Sequence, residues 1–187
     1  GIAQSGKGCC LVFLQRHEEA LPDLQQALGA FTAHVAEGLR ESASPNGTAQ
    51  QQDQVISVAR HMWNTIDHIT ECHVKQKDWM AALKQCEVGL ALCKVVIDWI
   101  QDMQRAQRTM SSSIQTQKAG KLAQSRRASL LLAKGHVLKE IHERANSSEG
   151  AAVALAYFQS KGGNAIDAAE VMDDLISAWD AAAEGFS

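Results

Sequence analysis

Gly8-Cys9-Cys10-Leu11-Val12-Phe13-Leu14, then Gln15-Arg16-His17, then Glu18-Glu19-Ala20-Leu21 with Ala27-Leu28 seven residues further on, is the stretch from which the fold is read. An apolar run, a polar turn and an amphipathic run in that order make a helical hairpin. A second copy lies between Thr70 and Leu90. Its turn, Gln76-Lys77-Asp78, is followed by Trp79-Met80-Ala81-Ala82-Leu83, and Gly89-Leu90 stands seven residues after Ala82. Small residues at such spacing let two antiparallel helices approach closely, while the large apolar ones fill the space beside them.

At these residues the chain resembles the αα-repeats of the tetratricopeptide family. A weaker third echo is Ala156-Tyr157-Phe158-Gln159-Ser160-Lys161-Gly162-Gly163-Asn164-Ala165-Ile166-Asp167-Ala168-Ala169, followed by Leu175-Ile176. The resemblance implies a helical scaffold that binds another protein in a concave groove lined by the inner helix of each hairpin. Spacing departs from the family: Ala20 and Ala82 are 62 residues apart and Ala82 and Ala168 are 86 apart, neither a multiple of the family's repeat of about 34. The proline that usually closes each repeat is also missing, so long, irregular helices are implied. The expected fold is all-α, built of antiparallel long-helix hairpins, either as a tetratricopeptide-like array or as a closed helical bundle.

Composition agrees with both. The 187 residues are 45% apolar and 5% aromatic with only 2 prolines, which suits a single α-helical domain over residues 1–187 with a substantial core. A net charge of −3 gives no argument for nucleic acid or an acidic membrane surface. Five cysteines, an odd number without paired spacing, point to reduced thiols and hence to an intracellular, cytoplasmic protein. Asn46-Gly47-Thr48 and Asn146-Ser147-Ser148 fit the glycosylation acceptor pattern, which recurs often by chance. The most apolar run, Val88 to Ile100, holds 13 residues with Lys94 and Asp98 among them, short of the roughly 18 a transmembrane helix needs. The abrupt first and last residues suggest a piece of a longer protein, with a tag-derived N-terminus as the alternative.

Helices are expected at about 8–15, 17–41, 50–75, 78–112, 115–146, 149–160 and 165–184. Residues 42–49, containing Pro45-Asn46-Gly47, form the loop between the first hairpin and the remainder. Breaks also fall at Asn146 to Gly150 and Lys161 to Asn164, and Ser111-Ser112-Ser113 marks a kink or an end. In the third helix Val55, Ala59, Met62, Ile66 and Ile69 share one face, opposite Arg60, Asn64, Asp67, His68, Glu71 and Lys75. The fourth is apolar around most of its cylinder: Leu83, Cys86, Leu90, Cys93, Ile97 and Ile100 make a seam that Ala91, Val95, Trp99 and Met103 extend. That breadth places it at the centre of the array, with Trp79 and Trp99 as anchors whose indole N–H groups need acceptors.

Chemistry finds little purchase. Gly1-Ile2-Ala3-Gln4-Ser5-Gly6-Lys7-Gly8 mimics the start of a phosphate loop, but Gly8 stands where a Ser or Thr would bind magnesium and no strand precedes it. A flexible or tag-derived segment is expected there instead. His61, His68, Cys72, Cys86 and Cys93 are spaced so that a metal site between helices is conceivable, yet no CxxC or HExxH pattern closes one. Vicinal Cys9 and Cys10 sit in an apolar run with no flanking cation, so core packing is expected of both. Asp167, Glu170, Asp173 and Asp174 lack a Glu-x-x-His partner, and the seven histidines are scattered. No enzyme, no cofactor and no metal is therefore expected.

Two polar surfaces remain. Arg60, Asn64, His68 and Glu71 form a stripe on the third helix that would line the partner groove, or else be merely solvated. Lys118, Lys121, Arg126 and Arg127 open a basic segment reaching Arg144, which with Leu130, Leu131, Leu132, Val137 and Ile141 gives an alternative binding face. Within it Arg126-Arg127-Ala128-Ser129 resembles the substrate motif of basophilic kinases. The expected function is a non-catalytic scaffold or adaptor domain binding a protein or peptide segment. The alternatives are a closed bundle serving self-association, as a homo-oligomer, and a bundle with a small apolar ligand.

Overall fold

The computed structural model of the chain describes residues 1–42, 48–106 and 114–144. Among them are five helices and no strand: α1 (Ile2–Phe13), α2 (His17–Ser42), α3 (Ala49–Lys75), α4 (Trp79–Ala106) and α5 (Ile114–Arg144). The all-α expectation holds. The expected helices at 149–160 and 165–184, the third repeat echo, the carboxylates from Asp167 to Asp174, the serines at 111–113 and most of the 42–49 loop lie outside the described residues.

The hairpin turns follow from hydrogen bonding at the helix ends. In the first, the N–H of Arg16 donates to Leu11 and that of Gln15 to Val12; in the second, Asp78 donates to His73 and Lys77 to Val74. Both are six-to-one and five-to-two closures, which require a left-handed residue just past the helix. Gln15 at φ 60° and Lys77 at φ 59° supply it. The two turns are thus superimposable in pattern, 62 positions apart, and Ala20 and Ala82 each bond back to the last turn residue, Arg16 and Asp78. Asp78 also caps α4, its Oδ1 accepting from the N–H of Ala81 at 3.1 Å. Thr48 and Gln51 form a reciprocal capping box that starts α3.

Three expectations are corrected. The first helix begins at Ile2 rather than near residue 8, so the phosphate-loop mimic is helical and not a loop. Its glycines disfavour helix, but tertiary contacts override them. Ser5 hydrogen-bonds Thr65 at 3.1 Å, Lys7 pairs with Asp23 at 2.8 Å, and Gly8 is buried against Leu24.

Among the described residues the central helix is α3, not α4. It packs on α1, α2, α4 and α5, whereas α4 packs chiefly on α3 and α5. Ala59, Met62, Ile66, Ile69 and Cys72 of α3 have no exposed surface, and Trp63 is nearly as deep. Two hydroxyls are buried with them, because Thr65 and Thr70 donate to the carbonyls of His61 and Ile66, each at 2.9 Å. On α4, by contrast, Val95 is 51% and Val88 39% exposed. Its buried seam is Ala82, Leu83, Cys86, Gly89, Cys93, Val96 and Ile100, with Leu90 and Ile97 at the edge. Apolar breadth measured composition, while the number of neighbours decides burial.

The cysteine expectation is corrected in part. Cys10 is exposed and Cys9 half-buried, since α1 is an edge helix with one covered side. As for the indoles, Trp79 has a partner, while the Trp99 and Trp63 N–H groups are buried without a hydrogen bond among the described residues.

Small residues set the helix spacing. A Cβ on Gly8 would fall 2.6 Å from Leu24, one on Gly38 would collide with Val55, and one on Gly89 would press Ile66 and Leu130 at 3.0 Å. Gly29 of α2, in contrast, has nothing within 4 Å. Gly29→Ala is therefore expected to stabilise the fold by about 0.5–1 kcal/mol through helix propensity. Gly8→Ala is expected to destabilise it by about 1–3 kcal/mol, because buried Leu24 has nowhere to move. Urea midpoints of the two variants check the contrast.

Candidate functional site

Parallel packing of α3 and α5 creates a concave feature among the described residues. Arg60 lies beside Lys118, Asn64 and Asp67 meet Arg126, and Val74 faces the same space as Val137, so the two helices run in one direction. Residues with apolar character on α5, Ala123, Leu130, Val137 and Ile141, recur at intervals of seven, seven and four and are buried toward the neighbouring helices. This leaves the flanking polar positions of α5 opposite the polar positions of α3.

Arg126 crosses between them. Its Nη1 donates to Asp67 Oδ2 at 2.9 Å and its Nη2 to Asn64 Oδ1 at 2.7 Å. Burial raises the Asp67 carboxyl above its ordinary range, an effect that the guanidinium opposes without cancelling. Beyond this bridge the helices leave a cleft of about 740 Å³. Its apolar wall is Val74, Trp79, Leu130, Ala133 and Val137; Glu71, Lys75, Lys77 and Glu140 supply the charges around it, with His136 beside them. On the other side is a smaller cleft of about 290 Å³, where Arg60, Asp53 and Ser57 of α3 face Lys118 and Leu122 of α5.

The residues expected at a binding site are thus placed in different roles. Glu71 lines the larger cleft and pairs with His68, whose Nδ1 lies 3.7 Å from its Oε2. Arg60 lines the smaller cleft, and Asn64 is held in the bridge between them. Of the alternative basic residues, Lys118 and Arg126 turn toward α3, while Lys121 and Arg127 are exposed and line neither cleft. The two surfaces that the sequence offers as alternatives are joined here, through Asn64 and Arg126, into one α3–α5 wall. Asp67, Trp79 and Ala133 are the members that sequence reasoning missed. The readable signal was the complementary charge of Asp67 and Arg126, but nothing in a single sequence aligns positions 59 residues apart.

Ser129 also lines the larger cleft, half-buried and donating to the Ser125 carbonyl at 3.1 Å. Among the described residues no group of three or more His, Cys, Asp or Glu side chains could hold a metal ion. All five cysteines are unpaired. Burial pushes the thiols of Cys72 and Cys86 up to about 11 and that of Cys93 up to about 12, so they stay protonated at neutral pH. No helix in the described residues is long and apolar enough to cross a membrane. Comparison with protein-family models, curated proteins and solved structures finds no match to the chain.

Two outcomes follow from this geometry. Arg126→Met is expected to destabilise the fold by about 1 kcal/mol, the solvent-screened value for a half-exposed bridge. Asp67→Asn is expected to be neutral or stabilising at pH 7, because the amide oxygen still accepts from Arg126. A raised folded-state pKa means that the folded chain holds this proton more tightly than the unfolded one. The stability contribution of Asp67 is therefore greatest at low pH and lost as pH rises through the raised value. Any advantage of the amide consequently fades on acidification, which urea titrations at two pH values resolve. Separately, a thiol reagent is expected to modify Cys10 in the native protein and Cys72, Cys86 and Cys93 only after unfolding, as mass spectrometry of the labelled peptides can read.

Proposed function

We propose that this chain is a non-catalytic interaction domain, a scaffold or adaptor that holds a segment of another protein in the larger α3–α5 cleft. The observation that carries the reading is the cleft itself, a space of about 740 Å³ with an apolar wall and a charged rim between two parallel helices. Elongated, mixed lining of this kind suits a peptide segment, whose apolar side chains seat in the wall and whose polar groups meet the rim. The order of packing supports an open array over a closed bundle: α5 lies on α4 and α3, and among the described residues no contact of comparable extent joins it to α1. Equivalent hydrogen bonding in the two turns marks two helical hairpins closed in the same way. Five unpaired cysteines support a reducing, intracellular setting.

Self-association is a second reading, favoured by a separate observation. Phe13 is 85% and Ile2 69% exposed on the outer side of α1, an apolar surface of the kind that a second copy covers.

Ala133 tests the first reading with little risk to the fold, because it lines the cleft and is only half-buried. Ala133→Trp is expected to fill the space, leave melting within about 0.5 kcal/mol of wild type, and remove the partners that the wild-type domain captures. Retention of every partner by a folded Ala133→Trp protein would move binding away from the cleft. Loss of those partners on Phe13→Ser instead would favour the α1 surface.

A further inference from the structure

Resting on the reading of the cleft as a peptide groove, we infer that its end nearest the α3–α4 turn selects an apolar segment flanked by acidic residues. The charges of the cleft are unequally committed. Asp67 is held by Arg126, Glu140 has a partner of its own, and Glu71 stands 3.7 Å from the His68 imidazole. Lys75 and Lys77 are exposed, line the cleft, and make no ion pair among the described residues. Among the described residues two uncommitted ammonium groups thus stand against the Glu71 carboxylate, an excess of positive charge in a chain whose net charge is −3.

Local structure does not explain both cations. Lys75 stands in the last turn of α3, where a cation favours the helix dipole. Lys77 stands beyond that helix, and the equivalent left-handed position of the first turn is filled by neutral Gln15. The turn does not call for a charge there. Both ammonium groups border the apolar wall of Val74, Trp79 and Val137, so an occupant that places an apolar side chain in the wall brings its neighbouring residues beside them. Carboxylates at those flanking positions gain attraction and basic residues meet repulsion, a difference that sets partner choice more than total affinity.

Three labelled peptides added to the full chain test this by fluorescence anisotropy: a Leu-Phe core with Glu flanks, the same core with Lys flanks, and a Ser core with Glu flanks. The Glu-flanked apolar peptide is expected to bind at least about tenfold more tightly than either of the others. Lys75→Glu combined with Lys77→Glu, at two exposed positions, is expected to keep the fold with a slightly lowered melting temperature, from the anion at the end of α3, and to reverse the preference toward Lys flanks. Binding of the Lys-flanked peptide as tight as that of the Glu-flanked one, and abolished by Ala133→Trp, would overturn the charge inference while sparing the peptide groove. Equal binding of the Ser-core peptide would overturn the role of the apolar wall. If no peptide responds to Ala133→Trp, the groove reading falls and this inference with it.

Discussion

Close approach of helix backbones at small residues is the constraint on which the structure depends. Gly8 admits Leu24, Gly38 admits Val55, and Gly89 admits Ile66 and Leu130 together. Alanines continue the same device, with Ala20, Ala27, Ala59, Ala82 and Ala123 all without exposed surface. Dispersion falls steeply with separation, so helices held this near gain contacts along their whole length. Gly89 has the widest reach: it brings α4 against α3 and α5 at once, and so decides where α5 lies relative to α3.

From that meeting point the functional surface follows. Ile66 and Leu130 pack over Gly89, and close by Arg126 reaches Asn64 and Asp67. Past the bridge the larger cleft opens beside half-buried Val74 and Ala133, over a floor of buried Trp79, Leu130 and Val137. Arg126 is thus a strut at the cleft's boundary as much as a charge on its rim. Its partial burial explains why a segment that reads as a basic, solvated helix turns two of its cations, Lys118 and Arg126, toward α3.

Much of the fold was legible because it is local. The turns at Gln15 and Lys77, the helix of residues 50–75 and its seam from Val55 to Ile69 are set by periodicity over short distances, and each lies within a residue or two of its expected place. What was misread depends on neighbours. Val88 and Val95 looked interior by type, yet no described helix covers them. Gly6 and Gly8 looked like loop residues, yet Gly8 is a contact point. For the cleft, Glu71 could be named from the polar stripe and Trp79 is the core anchor it looked like, whereas Asp67 looked like a solvated charge. Its role comes from α5, whose register against α3 is written in tertiary packing.

Native-state hydrogen exchange resolved by residue tests most directly that α3 is the hub to which the other helices are fastened. Amides that open only with global unfolding carry the full stability of the fold. The slowest exchange is predicted between Ala59 and Cys72 of α3, with the exposed side of α4 around Val88 and Val95 exchanging through smaller openings. Slowest exchange centred on α4, with α3 opening first, would contradict it.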